Sequence, residues 1–361
     1  VTARKRNESL LEVPVAVSAI SAAELDASGV KELEDIAKSV PGIQYSDQGG
    51  QFPGRFDSAI RFRGMNVNTS QPTSQLGALF LDGIYVLGGT HSLPVDNLER
   101  VEVFRGPQAA YFGRNTFGGA VNYITRAPSL TEFSGSLGLL GAEFNETEVS
   151  AAYEGPIIED KLAFRISGRQ YARGGVWRAS DGGWLGEQST KSLFLTLRGQ
   201  PTESLSVTLR AFIAEDEDGA AAGALIAGTQ NDSCTGLTIT TNAGETANPR
   251  KYICGIVPGP GTARPIQGVG NIIDSNTSLY PARAAILGQP NAVAALLNGP
   301  IPAGISVPSL DGFGLKREIT RFTAALEYDF QNDMTLVVQG GVNDSRRNSF
   351  RDYGPSAFEN W

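Results

Sequence analysis

Three segments in the second half of the chain alternate apolar and polar residues with a period of two. In 161–170 one face holds Leu162, Phe164, Ile166 and Gly168, and the other holds Lys161, Ala163, Arg165, Ser167 and Arg169. Segment 204–213 sets Leu205, Val207, Leu209, Ala211 and Ile213 against Ser204, Ser206, Thr208, Arg210 and Phe212. Segment 321–330 sets Phe322, Ala324, Leu326, Tyr328 and Phe330 against Arg321, Thr323, Ala325, Glu327 and Asp329. A helix would scatter these residues around its circumference, whereas a strand sends alternate side chains to opposite faces. The segments are therefore strands with one apolar and one charged face.

A soluble sandwich alternates too, so the connections decide between a sandwich and a membrane barrel. Seven strands are expected, at 133–142, 145–155, 161–172, 189–199, 204–215, 317–330 and 333–345. The second, fourth and sixth end in tight turns at Gly155-Pro156, Gln200-Pro201-Thr202-Glu203 and Gln331-Asn332-Asp333. The third and fifth end in long connections, the later one covering about 216–316. Short turns on one rim and long loops on the other are the pattern of an outer-membrane barrel. An insertion of about 100 residues is unusual in a compact sandwich. Tyr171, Tyr328 and Phe330, near strand ends, are expected in an interfacial aromatic girdle.

Composition agrees. Glycine numbers 43, and no apolar run approaches the roughly 18 residues of a membrane helix, so any crossing is by strands. With 38 acidic and 30 basic residues the formal charge is -8, which disfavours nucleic acid as a partner. The first residues are polar and carry no signal-peptide core. Cys234 and Cys254, the only two cysteines, share one Gly/Pro/Asn-rich stretch without nearby histidines, so no zinc site is expected. A disulfide is the favoured reading, with two free thiols as the alternative. Closing a loop of about 20 residues contributes roughly 3 kcal/mol and implies an oxidising compartment.

Residues 1 to about 130 have a different texture. Ser21-Ala22-Ala23-Glu24 has capping-box spacing and opens a short helix expected to stop at Gly29. In 31–40 the apolar set Leu33, Ile36, Ala37 and Val40 predicts a second helix, closed by Pro41-Gly42. Short strands are expected at 59–63, 79–82, 100–105 and 120–126.

Within this unit four ordered blocks stand out: Asp35-Ile36-Ala37-Lys38-Ser39-Val40-Pro41-Gly42-Ile43, Ile60-Arg61-Phe62-Arg63-Gly64, Leu81-Asp82-Gly83-Ile84-Tyr85-Val86, and Glu99-Arg100-Val101-Glu102-Val103-Phe104-Arg105-Gly106-Pro107. The last continues through Tyr111-Phe112-Gly113 and Gly118-Gly119-Ala120-Val121-Asn122. The unit resembles the plug domain of TonB-dependent outer-membrane receptors. The resemblance implies an α+β plug followed by an antiparallel transmembrane β-barrel, 22 strands in full, of which about seven are expected here. It divides the chain into a TonB-box tail and linker (1–10), a plug (11–130) and the first part of the barrel (131–361).

By the same resemblance, the function expected is active import of a scarce solute across the bacterial outer membrane. Ferric-siderophore-type iron complexes come first, then cobalamin, carbohydrate or another metal chelate. TonB and its inner-membrane energising complex are the implied partner, pairing with a segment whose tail is Val1-Thr2-Ala3. The start of that segment and the remaining barrel strands are expected to lie outside the sequence. Arg63 and Arg105, each beside a glycine at a strand end, are expected to meet barrel carboxylates beyond Trp361; solvated rim arginines are the other reading. Cargo is expected at the plug's outward loops, with Arg55, Phe56, Gln71, Gln75, Tyr85, Leu87 and His91 as candidates. No resident cofactor or structural metal is implied.

Other classes fit less well. An open porin has no 130-residue front unit. A glycan-binding adhesin sandwich would bury the charged faces of these strands in a dry core. His91 is the only histidine and no nucleophile elbow accompanies it, so the chain is not expected to be an enzyme.

Overall fold

A computed structural model describes residues 16–28, 35–37, 40–47, 55, 58–64, 76–86, 97–113, 115–179, 182–222, 239–240, 246–247, 272–273, 306, 308, 312–330 and 334–350. The front unit contains β1 (Ala16–Ser21), helix α1 (Ala22–Ala27), β2 (Ile43–Asp47), β3 (Ser58–Phe62), β4 (Gly77–Leu81), β5 (Ile84–Tyr85), β6 (Leu98–Arg105) and β7 (Gly119–Thr125). Five strands form a mixed sheet in the order β1-β6-β7-β4-β5, in which only β4 and β7 run parallel; β2 and β3 form a separate pair.

Local chemistry accounts for these elements. The Ser21 amide donates to Glu24 Oε2 at 2.8 Å and the Glu24 amide to Ser21 Oγ at 3.4 Å, so the expected capping box is present. These bonds hold the Glu24 carboxyl below the usual carboxylate range. Residues 35–37 are helical, with Ile36, Ala37 and Val40 buried as their spacing requires. The β4–β5 hairpin turns on Asp82 and Gly83, at φ 50° and 77°, the left-handed pair that a two-residue turn demands. Strands β1 and β2 were not among the sequence expectations. Every residue of β1 is half-buried or exposed, so it carries no apolar alternation.

The second half forms one antiparallel seven-stranded wall. Its strands are β8 (Ser134–Ala142), β9 (Glu146–Ile158), β10 (Leu162–Arg173), β13 (Gln188–Thr202), β14 (Leu205–Asp218), β18 (Gly314–Asp329) and β19 (Thr335–Phe350), ordered as in sequence. The intervening numbers are short strands of the long connections: β11 (Trp177–Ala179), β12 (Trp184–Leu185), β15 (Ile239–Thr240), β16 (Thr246–Ala247) and β17 (Ile272–Ile273). All seven expected strands are present, several of them longer than the sequence reading allowed.

Burial on the wall is inverted relative to a soluble protein. In β10 the polar-face residues Arg165, Ser167 and Arg169 are buried while Ile166 is exposed; in β18 Arg317 and Arg321 are buried while Phe322 is 56% exposed. The front unit supplies the explanation. It packs against the polar face, and one apolar cluster joins its Leu25, Val101 and Val121 to Phe194, Phe212 and Ile319 of the wall. The apolar band on the outer face runs in β14 from Leu205 to Ile213, about 26 Å at 3.3 Å per residue, close to the height that hydrocarbon requires.

Tyr171 departs from its expected place. It is on the inward face, 6% exposed, with the Arg169 guanidinium 5.0 Å from its ring centre. Tyr328 and Phe330 do lie exposed at the tight-turn rim, in edge contact at 4.8 Å. Phe133, Tyr153 and Phe164 extend the aromatic set, with centroids 6.0 and 5.8 Å apart. Phe133 covers Gly155, where a Cβ would come within 2.1 Å of its ring.

Candidate functional site: the interface between plug and wall

Arg55 comes from the front unit and is 5% exposed. Its guanidinium donates to Asp218 through Nε (3.2 Å to Oδ2) and Nη2 (2.5 Å to Oδ1), to Thr190 Oγ1 (2.6 Å) and to the Ser189 carbonyl (2.9 Å). Arg317 of β18 completes the group. Its Nε donates to Asp216 Oδ2 at 2.8 Å and its Nη1 to the Arg55 carbonyl at 3.0 Å, while Thr190 Oγ1 donates to Asp216 Oδ1 at 2.7 Å. Two guanidinium groups thus meet two carboxylates, and the buried cluster is neutral, the condition under which such charges persist out of water. It sits at the roots of both long connections, beside β13 and at the end of β14.

Two further contacts lie nearer the tight-turn rim. Arg210 of β14 donates to Thr125 Oγ1 at 2.9 Å and lies 3.3 Å from Asp82 Oδ2; Asp82 in turn accepts from the Thr125 amide and hydroxyl, both at 2.9 Å. Asn97 forms the third contact. It donates to Ser167 Oγ, accepts from Arg165 Nε at 3.1 Å, and Arg165 Nη1 reaches Glu154 at 2.7 Å. From residue 205 to residue 218 β14 rises about 43 Å, so the front unit is tied to the wall at several levels.

The expected site residues separate into three groups. Arg55 is not presented outward; the wall takes up its guanidinium. Tyr85 is half-buried, packed on Phe80 at 5.7 Å, and its hydroxyl accepts from Asn115 at 3.0 Å. Arg63 is exposed at a turn with φ 53°, and Arg105 donates to Ser18 Oγ at 3.2 Å; among the described residues neither forms an ion pair with the wall. Val1, Thr2, Ala3, Phe56, Gln71, Gln75, Leu87, His91, Cys234 and Cys254 lie outside the described residues. Asp216, Asp218, Thr190, Arg317 and Asn97 were missed. A signal for two of them existed, because 215–218 reads Glu-Asp-Glu-Asp and strand parity turns Asp216 and Asp218 inward with Phe212. The expected strand ended at 215, one residue too early to show it.

A globular α+β unit fastened inside a wall with an apolar outer face defines a plugged outer-membrane β-barrel receptor. The family profile described as TonB-dependent Receptor Plug Domain matches residues 9–120. The chain belongs to the TonB-dependent outer-membrane receptors, and its location is the bacterial outer membrane. It is 32% identical over 188 residues to the vitamin B12 transporter BtuB of Vibrio vulnificus, a match covering 50% of this chain and 27% of that protein. It is 29% identical over 225 residues to the ferrioxamine receptor of Yersinia enterocolitica, covering 60% and 29%. The fold is similar to that of the ferric yersiniabactin uptake receptor FyuA from Yersinia pestis, with TM-score 0.67 and 14% identity over 98% of this chain and 44% of that one. The chain thus spans less than a third of the curated relatives it matches.

Proposed function

We propose that the protein carrying this chain imports a scarce solute across the outer membrane by TonB-dependent active transport, with a ferric-siderophore-type iron complex as cargo. One observation carries the reading most directly: the plug is bound to the inward face of the wall by a buried neutral ion-pair cluster and by a shared apolar core. Such a plug opposes passive diffusion, and moving it requires work. In this reading TonB delivers that work through the segment ending in Val1-Thr2-Ala3, and the outward loops holding Phe56, Gln71, Gln75, Leu87 and His91 meet the cargo. Arg55 then acts as a brace behind those loops. The iron-chelate assignment leans on the relative named as a ferrioxamine receptor, and the relative named as a vitamin B12 transporter supports cobalamin as a second cargo class.

The test is uptake of a labelled cargo by cells expressing the receptor. Collapsing the proton-motive force or deleting the segment through Ala3 should abolish accumulation and leave surface binding intact. Undiminished uptake after either treatment would mean a passive channel.

A further inference from the structure

Across the lipid-facing side of the wall, register partners at one height are Val149, Gln170, Lys191, Glu215, Glu318 and Arg346. The row beneath, toward the tight-turn rim, runs Ala151, Gly168, Leu193, Ile213 and Thr320. The first row is thus the outward edge of the apolar band, where head groups meet the wall. Between the rows lies a groove of about 800 Å³ lined by Val149, Ala151, Gly168, Leu193 and Ile213, with Lys191, Glu215 and Glu318 along its edge. A second, smaller hollow of about 360 Å³, lined by Leu195, Leu197, Leu209 and Phe322, continues toward the tight-turn rim.

The charges along this edge are not all satisfied within the wall. Lys316 Nζ lies 3.2 Å from Glu215, and Arg346 turns to Asp344 at 2.8 Å instead of to Glu318. Among the described residues, this leaves the Lys191 ammonium and the Glu318 carboxylate without an ion-pair partner. They stand two strands apart, about 10 Å between backbones, and both have long side chains that lean toward the same mouth.

We propose that this groove is a binding site for one zwitterionic aminophospholipid, its phosphate on Lys191, its primary amine on Glu318 and an acyl chain along Ala151, Gly168, Leu193 and Ile213. A head group with one anionic and one cationic centre complements one free cation and one free anion. A purely anionic head group would leave Glu318 opposing it, and a quaternary choline offers Glu318 no N–H donor. The hydrocarbon floor gains from filling, since an empty hollow forfeits dispersion contacts along its whole lining.

The test uses the receptor purified from outer membranes in mild detergent, stripped of lipid and examined by native mass spectrometry with phosphatidylethanolamine, phosphatidylcholine and phosphatidylglycerol added singly. The expected result is one retained phosphatidylethanolamine, held about tenfold more tightly than the other two. Lys191→Gln should reduce its retention about tenfold, and Glu318→Gln should bring phosphatidylethanolamine and phosphatidylglycerol to parity. Gly168→Phe should remove the adduct by filling the groove. A Cβ at Gly168 meets only ordinary contacts at 3.7 and 3.9 Å, so this variant folds, which an unchanged thermal midpoint would verify. Equal retention of the three lipids by the unmodified receptor, indifference to Lys191→Gln, or preference for a phosphorylated glycolipid added in a fourth arm would each overturn the proposal.

Discussion

Arg55 and Asp218, 163 positions apart in sequence, are joined by two side-chain hydrogen bonds of 3.2 and 2.5 Å in a site where both are almost fully buried. The fork-to-fork geometry is the strongest that a guanidinium and a carboxylate form. Removing only Asp218 leaves a buried guanidinium short of a counter-charge, so Asp218→Ala should cost about 3–5 kcal/mol. Removing both partners should cost less than the sum of the single losses. A double-mutant cycle on thermal or denaturant unfolding of the purified receptor measures the coupling; additive losses would mean the pair is energetically idle.

Gly119 begins β7 where the plug sheet approaches itself most closely. A Cβ there would lie 2.3 Å from the Phe104 carbonyl and 2.5 Å from the Phe62 ring, and the backbone at one of these contacts has no room to yield. Gly119→Ala should destabilise the plug by about 3 kcal/mol, at the upper end of overpacking penalties. Gly64→Ala is the comparison, since nothing lies within 4 Å of a Cβ there and its φ of 71° brings only backbone strain of about 1 kcal/mol. Proteolytic susceptibility of the plug in the two variants separates the effects.

Glu24 reports on pH. Its folded-state pKa is lowered, first by the Ser21 amide and then by the Ser21 hydroxyl. A depressed carboxyl contributes stability that is present above its unfolded value, near 4.5, and is lost as pH falls through the folded value. Amide exchange at Ser21 and along Ala22–Ala27 should therefore accelerate below that range in the native protein. Glu24→Gln should flatten the dependence; if the acid loosening persists unchanged in that variant, the capping carboxylate is not its source.

Cys234 and Cys254 are expected to be joined. Alkylation of the receptor from outer membranes without reduction should modify neither, and reduction should expose both. Full labelling before reduction would show free thiols.

Much of the wall was legible because its information is local. Alternation with period two places every second residue on a given face whatever else the chain does, so seven strands and the tight turns after the second, fourth and sixth could be read directly. The capping box at Ser21 and Glu24 was legible for the same reason, as was the Asp82–Gly83 block, whose left-handed φ values only particular residues adopt easily. The sequence alone also determined that one wall face is apolar and the other charged. It did not determine what each face would meet. Which face is buried follows from the plug, and Tyr171, placed by its neighbours at a lipid interface, turned inward because its parity is that of Arg165 and Arg169. Arg55 was decided entirely by tertiary structure: no residue near it in sequence indicates that its guanidinium meets carboxylates more than 160 positions away. The energy of a buried charge depends on what surrounds it in space, and that environment exists only once the plug and the wall have come together.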